Sequence, residues 1–425
     1  MPFVATAKAS SKTGSLPLAA MLVLAAIGFT AITTELLPSG LLPQMAEDFD
    51  VGESQVGLLT VAYAGIVVVT VVPMARLCSR LPRQALLLGL VVTFALSNVL
   101  LALSPEFSLA VVARLIGGVA HGLLWSTMAP YIAALVPEHM LGRAMAVVFS
   151  GNSLGLAVGA PAGTALGAWV GWRTSFLIMA ATGAVLALLA LWLLPSVRGS
   201  RKGQPPSVLQ AIRQPGVKSV TLAWPLMLFA RFAVFTYIAP FILAAGLPSQ
   251  AISISLSVVG AVSFAGLWIA GMTVDSRPRR SLIAAAATVV GACLLLPWAG
   301  TTLPGAYCLM ALWGAALGAC GIYNQAAILR AGKEHSDAAN SLMVLATQLG
   351  IAIGAAYGGL ALSLAGPLLV PVAAALPAAV ALGAVIAGRK AGYPPGPKEG
   401  GKETGASSRP AAAAGGPGLP SSRSR

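Results

Sequence analysis

The chain alternates long apolar runs with short breaks of Gly, Pro and charge, and the runs have the length of a membrane rather than of a soluble core. About 20 apolar residues in a helix suffice to cross a bilayer. The pattern predicts helices near 16–42, 54–75, 85–103, 108–136, 144–170, 174–195, 220–243, 250–272, 281–299, 304–329, 338–364 and 367–388. Lys8 and Lys12 precede the first run, as in a secretory signal, but the run is too long for a signal core and further spans follow at once. It reads as a retained first helix.

The widest polar break, 196–219, is rich in Pro, Gly and base and falls near the midpoint. The expected organisation is therefore a short tail (1–15), a six-helix bundle (16–195), a linker (196–219), a second six-helix bundle (220–388) and a tail (389–425). That last segment is Gly, Pro, Ser and Ala with scattered bases, a composition expected to be disordered and dispensable.

Composition agrees with the pattern. Of 425 residues 57% are hydrophobic and 9% charged, and the mean hydropathy is +0.86. That leaves too little polar side chain to cover a water-facing surface. The formal charge of +14 would raise nucleic-acid binding in a soluble chain, but here it must first be tested as a topology signal. With the N-terminus inside, 23 of the 26 bases fall in inside segments, the exceptions being Arg114, Arg173 and Arg231. The first outside loop carries Glu47, Asp48, Asp50 and Glu53 without a base. Both termini are thus expected in the cytoplasm, with an even number of spans and no call for nucleic acid.

An internal repeat supports two halves. Gly151, Gly155 and Gly159 recur as Gly350, Gly354 and Gly358 at an offset of 199. Thr34-Glu35-Leu36-Leu37-Pro38 is echoed by Thr236-Tyr237-Ile238-Ala239-Pro240 at 202, and the basic loop 79–84 by 275–280 at 196. Two parallel repeats of six helices describe a transporter whose halves rock about a central site.

These motifs carry a resemblance. Thr33-Thr34-Glu35 with Gly40-Leu41-Leu42-Pro43, Arg114-Leu115-Ile116-Gly117-Gly118 with His121-Gly122, and Gly155, Gly159-Ala160-Pro161, Gly163 with Gly171-Trp172-Arg173 resemble the major facilitator superfamily over roughly residues 16–388. Within it they resemble the bacterial drug:proton antiporters and related sugar or nucleoside exporters. The resemblance implies an all-α integral membrane protein of twelve helices in two pseudo-symmetric bundles. It also implies efflux by proton antiport from a bacterial plasma membrane, including multidrug resistance, by a monomer. The superfamily's loop pattern G-x-x-x-D-R-x-G-R-R is degraded after the second helix, where Ser79 takes the acid position. It survives better after the eighth as Gly271, Asp275, Arg279 and Arg280, so these four join Gly155, Gly159 and Pro161 as gating candidates.

The charges inside the spans are the candidate chemistry. Glu35 is the one carboxylate there, and a charge in hydrocarbon costs several kcal/mol unless paired, wetted or protonated. It can carry a proton, or it can lie at the outer interface. Arg114, Gly118, His121 and Trp125 share one helix face. Arg114 can serve proton transfer, as the resemblance implies, or snorkel toward the cytoplasm; His121 can join it or merely bond a neighbouring helix. Arg231 can bind an anionic or carbonyl-bearing substrate or pair with Glu35. Substrate contacts are expected from Trp125, Arg231, Tyr237, Asn324 and Gln348, although polar residues such as Asn152, Asn324, Gln325, Asn340 and Gln348 can equally fasten helices. Gly151, Gly155, Gly159, Gly163 and Gly167 form a stripe that invites a close helix, and Pro161 should kink theirs. Trp169 and Trp172 read as an interface belt.

Other classes fare worse. One intramembrane acid and no His cluster make poor material for an enzyme, and there is no P-loop for ATP. Cys78, Cys293, Cys308 and Cys320 lack metal or disulfide spacing, so neither cofactor nor metal is expected. A proton-coupled importer or a passive facilitator shares the fold and stays open. The expected partners are a small-molecule substrate, protons and the bilayer.

Overall fold

The computed structural model describes residues 17–78, 81–137, 140–197, 212–332 and 336–395. Ser79, Arg80, most of the linker, the side chain of Asn340 and the tail beyond 395 lie outside the described residues. Without water, every backbone polar group in a spanning segment must be satisfied within it, which selects helices. Among the described residues twelve are long and apolar enough to cross a membrane. They are α1 (Leu18–Phe49), α2 (Glu53–Cys78), α3 (Arg83–Ala102), α4 (Phe107–Leu135) and α5, composed of Leu141–Leu154, a π turn over Gly155–Gly159 and Ala160–Val170. There follow α6 (Trp172–Leu193), α7 (Pro215–Thr236, continued by Ile238–Ala244), α8 (Gln250–Thr273), α9 (Pro278–Ala299), α10 (Leu303–Gly332), α11 (Ser336–Ala365) and α12 (Val370–Ala387). Among the described residues there is no strand.

Two boundaries differ from expectation. Helix α7 starts at Pro215, so the last part of the stretch read as linker is helical. The segment after α12 is not all loose tail. Gly388–Lys390 forms a 3₁₀ turn, and the chain folds back to bury Tyr393, 4% exposed. The reason is a specific dock that composition hides. The Tyr393 hydroxyl donates to Asn324 Oδ1 at 2.6 Å, and Arg279 donates to the Tyr393 carbonyl at 3.1 Å. Burial pushes the Tyr393 phenol further up, so it remains a neutral donor.

The helices pair in two matching sets. Within the first six, α1 packs on α5 and α6, α2 on α4, and α3 on α4 and α6; each pairing recurs six helices later. The sets meet through α2 with α11 and α5 with α8, themselves related by the same repeat, and through α1 with α7. The glycine stripe of α5 faces α1: a Cβ at Gly151, Gly155, Gly159, Gly163 or Gly167 would meet Ala25, Phe29, Thr33, Leu37 or Leu41. On α11, Gly350, Gly354 and Gly358 face Pro225, Phe229 and Ala233 of α7 in the same way. Pro161 can give no N–H to the turn before it. That turn is the π segment, so the proline widens α5 rather than simply kinking it.

Trp172 corrects the belt reading. It is 4% exposed and donates to Asp48 at 3.0 Å, while Arg173 pairs with the same carboxylate at 2.9 Å and donates to the carbonyls of Ala102 and Ser104. This cluster ties α1, α3 and α6 at the end remote from the chain termini. Trp169, 88% exposed, keeps the lipid-facing position expected of a belt residue.

Candidate functional site

The two central helices are accessible along only part of their length. On α1, Ala26, Phe29 and Ile32 are partly exposed, and everything from Thr33 to Leu42 is buried. On α7, Trp224, Phe229 and Arg231 are partly exposed, and everything from Phe232 to Ile242 is buried. With twelve spans both chain ends lie on one face. The space between the halves is therefore reached from that face and sealed toward the other. The seal is apolar: Leu36, Ala64 and Ala160 join the core of the second bundle, while Tyr237, Leu362 and Val370 join the outer core of the first.

Glu35 sits just past the end of the accessible stripe. It is the eighteenth residue of a 32-residue helix, about 25 Å from one end and about 21 Å from the other at 1.5 Å per residue. The helix runs on to Phe49, seven residues past the expected end, which removes the outer-interface reading. Glu35 is 6% exposed; Oε2 stands 3.6 Å from His121 Nε2, and Oε1 has no hydrogen-bond partner. That separation is an electrostatic contact rather than a hydrogen bond.

Arg114 does not snorkel. The start of α4 lies on the sealed face, remote from the chain ends, and the guanidinium turns to α1. It donates to the carbonyls of Thr34 at 3.2 Å and Glu35 at 3.3 Å. The Thr34 carbonyl needs a donor because the residue four further on, Pro38, has no N–H. Beneath the guanidinium lies the Tyr63 ring, 4.0 Å from its centroid, and the same ring meets His121 edge-on at 5.2 Å. Sequence reasoning missed Tyr63. The available signal was a lone phenol in the apolar run of α2, now buried with an unpartnered hydroxyl. His121 is thus part of the cluster and not simply a helix fastener.

Trp125 continues that face of α4 into the accessible region. It is partly exposed, stacks on Phe149 at 5.7 Å, and approaches the His121 ring at 6.0 Å. Arg231 comes from the other half. Its guanidinium carbon lies 5.6 Å from the Phe232 ring and 6.0 Å from that of Phe235, and Nε has no hydrogen-bond partner. Among the described residues no ion pair within 4.0 Å joins it to Glu35, although the two charges act on one another. Direct pairing is therefore absent in this conformation. Gln348 is buried with an unpartnered Oε1.

Two expected substrate contacts lie elsewhere. Asn324 is fully engaged near the chain-end face, accepting from Tyr393 and donating to the Cys320 carbonyl at 2.8 Å. Tyr237 belongs to the seal, because Pro240 withholds an N–H from the turn before it and α7 breaks at Tyr237. Its hydroxyl donates to the Ala355 carbonyl at 3.0 Å, and its ring occupies the gap left by Gly57 of one half and Gly359 of the other.

The family model of the Major Facilitator Superfamily matches residues 23–355. The chain belongs to this superfamily. Among solved structures it is similar to a bacterial homolog of the human lysosomal transporter Spinster, in an inward-facing, occupied conformation. The two are 16% identical with a TM-score of 0.73, over 89% of this chain and 98% of the other. The unoccupied inward-facing form of that homolog gives 16% and 0.68, over 88% and 95%. At such identity the likeness is one of fold. As a superfamily member the chain is a multi-pass membrane transporter and not an enzyme.

The superfamily's loop residues make their contacts inside the second bundle. Asp275 pairs with Arg330 at 2.9 Å. Arg279 caps the end of α12, donating to Val385 at 2.9 Å and Ile386 at 2.7 Å. Arg280 is exposed. Gly271 has nothing within 4 Å of where a Cβ would stand, so no helix exploits it as a close-approach point here. Of the gating candidates, Gly155, Gly159 and Pro161 have a structural role in the α1–α5 contact, while the loop group braces α8, α10 and α12.

Proposed function

We propose that the chain is a proton-coupled secondary transporter that exports a small amphipathic molecule by exchange, with Glu35 carrying the proton and Arg114 and His121 tuning it. The observation that carries the reading is the depth of Glu35: mid-helix, at the end of the accessible stripe, with one oxygen free. A carboxylate there can load from one face and, once the seal and the opening trade places, unload to the other. The twin halves and their symmetric contacts supply the rocking element. The inward-facing likeness fits a space open toward the chain ends, which the positive-inside rule puts in the cytoplasm of a bacterial plasma membrane. The working unit is the monomer.

Uptake of chloramphenicol into inverted membrane vesicles under a proton gradient tests the reading. Wild type should accumulate it, and Glu35→Gln should fall to the level seen without the gradient. Undiminished gradient-driven transport by Glu35→Gln would sink the proton-carrier assignment. A second reading, proton-coupled uptake, is favoured by Arg231. An anion held there would repel an ionised Glu35, so anion and proton would stabilise one another and travel in the same direction.

A further inference from the structure

Arg231 is a fixed cation that meets ring faces but, among the described residues, no acid within 4.0 Å. It stands in the middle of α7, about 24 Å from Pro215 along the axis, too deep to reach either face. An arginine at that depth is costly unless it is paired or wetted. The other deep guanidinium, Arg114, spends its terminal nitrogens on two α1 carbonyls. Arg231 makes no hydrogen bond or ion pair to the described residues, and its Nε is buried without a partner. With Glu35 ionised, the site holds two guanidiniums against one carboxylate. One negative charge is missing.

The surroundings of Arg231 are aromatic: the rings of Phe232 and Phe235 stand 5.6 and 6.0 Å from its guanidinium carbon, and Trp224 shares its face of α7. Phe29 of α1, Trp125 of α4, and Trp224 and Phe229 of α7 are all partly exposed. From Trp224 to Arg231 the helix rises about 10 Å, the length of two fused rings. Rings beside a guanidinium without an acid partner match a ligand with an apolar body and an acidic head. Arginine's planar fork suits an oxyanion in two-point contact.

We infer that Arg231 binds the acid group of transported molecules that carry one, and that small amphipathic monoanions with a flat apolar body are held in preference to neutral molecules of the same shape. This rests on the reading of the central space as the transport site. It does not depend on the proton-carrying role of Glu35.

The test uses three probes of one shape, 2-naphthoate, 2-naphthamide and 2-naphthylmethylammonium, titrated into the full chain in lipid nanodiscs. Wild type should bind the naphthoate at least about tenfold more tightly than either other probe, a difference of about 1.4 kcal/mol. Arg231→Gln should bring the naphthoate-to-naphthamide ratio to about one, with an unchanged far-ultraviolet circular dichroism spectrum reporting that the variant is folded. Arg231→Lys should recover part of the preference. Equal binding of the three probes by wild type, or a preference that survives in Arg231→Gln, overturns the inference. If Arg231→Gln does not fold, the wild-type ratio and its partial loss in Arg231→Lys decide the matter. Failure of the proton-carrier reading would show separately, as gradient-driven transport retained by Glu35→Gln with the naphthoate preference intact.

Discussion

The two six-helix halves share one packing scheme and almost none of its chemistry. At the repeat offset of 199, Arg114 and His121 of the first half map onto Trp313 and Cys320 of the second, and at 202 Glu35 maps onto Tyr237. All three counterparts are buried and uncharged. The same proline signature is resolved in opposite ways. In α1 the carbonyl that Pro38 leaves without a helical donor is met by Arg114, and the helix continues. In α7 Pro240 lets the helix break, and the freed tyrosine plugs the gap between the halves. Conversely, the position that holds Phe29 in α1 holds Arg231 in α7. Duplication supplied the scaffold; the polar groups were then divided, with the acid, a braced arginine and an imidazole on one side and a single unsatisfied guanidinium on the other.

The strongest way to break this division is to remove the polar group from each side in turn. Glu35→Gln should abolish gradient-driven transport, as argued above. Tyr237→Phe should leave proton coupling in place and cost about 1 kcal/mol of stability, the net worth of one buried hydrogen bond. Loss of coupling in Tyr237→Phe, measured as gradient-insensitive vesicle uptake, would mean that the chemistry is shared between the halves.

A second comparison concerns the paired glycine stripes. A methyl at Gly151 would run into the backbone of Ala25, and one at Gly350 would stand 2.6 Å from the Pro225 carbonyl. Both are tighter than a real Cβ tolerates, and the first is much the worse. Gly151→Ala should lower the thermal midpoint in detergent clearly more than Gly350→Ala, with losses of a few kcal/mol and roughly 1–3 kcal/mol respectively. Equal losses would show that the halves are equally tight.

Much of this was legible in the chain and some of it could not be. The spans were readable because hydrocarbon forces nearly every residue of a run to be apolar, and a disturbance of α5 at Pro161 followed from its missing donor; the break of α7 at Tyr237 was not foreseen. Glu35, Arg114 and Arg231 stood out for the same reason, since the bilayer selects against unexplained charge. Tyr63 and Tyr393 did not, because a phenol costs little in a membrane and its importance lies in the neighbour it finds. Asn324 was misjudged on the same ground: a lone amide in an apolar helix signals a partner, and only the fold could say that the partner was Tyr393. Arg173 and Trp172 looked like surface residues until Asp48, more than a hundred positions away, came within 3.0 Å.

The segment after α6 also docks on its bundle, through the carbonyls of Pro195 and Val197, but only the one after α12 buries a tyrosine among the described residues, which makes a smaller test. Truncation after Pro395 should leave thermal stability unchanged. Truncation after Gly388 should lower it by roughly 1–3 kcal/mol, because the buried Asn324 amide loses its partner. The carbonyl of Tyr393 also goes, though Arg279 keeps the α12 carbonyls of Val385 and Ile386. Equal midpoints for the two truncations would return the whole tail from 389 to the dispensable class.

The smallest expected effect bears on how the halves communicate. An acid group on Arg231 and an ionised Glu35 repel, so binding of the anion favours the protonated form of Glu35, and by linkage a proton on Glu35 favours the anion. Among the described residues the charged and titratable groups that act on Glu35 are Arg114 and His121 from α4, Tyr63 from α2 and Arg231 from α7. Of these, His121 has an ordinary titration near the working range, while Glu35 exchanges its proton there on the reading proposed above, and protonation of either adds positive charge to the site. The probe itself stays ionised, since a carboxyl of this kind titrates near pH 4. Binding of 2-naphthoate should therefore tighten a few-fold from pH 8 to pH 6, and the change should vanish or shrink sharply in Glu35→Gln. That outcome makes anion and proton co-travellers, and for anionic molecules it replaces the exchange proposed above with the second reading, proton-coupled uptake. Weakening on acidification would mean that the two compete for one site, and exchange, with export, would be the mode of coupling between the halves.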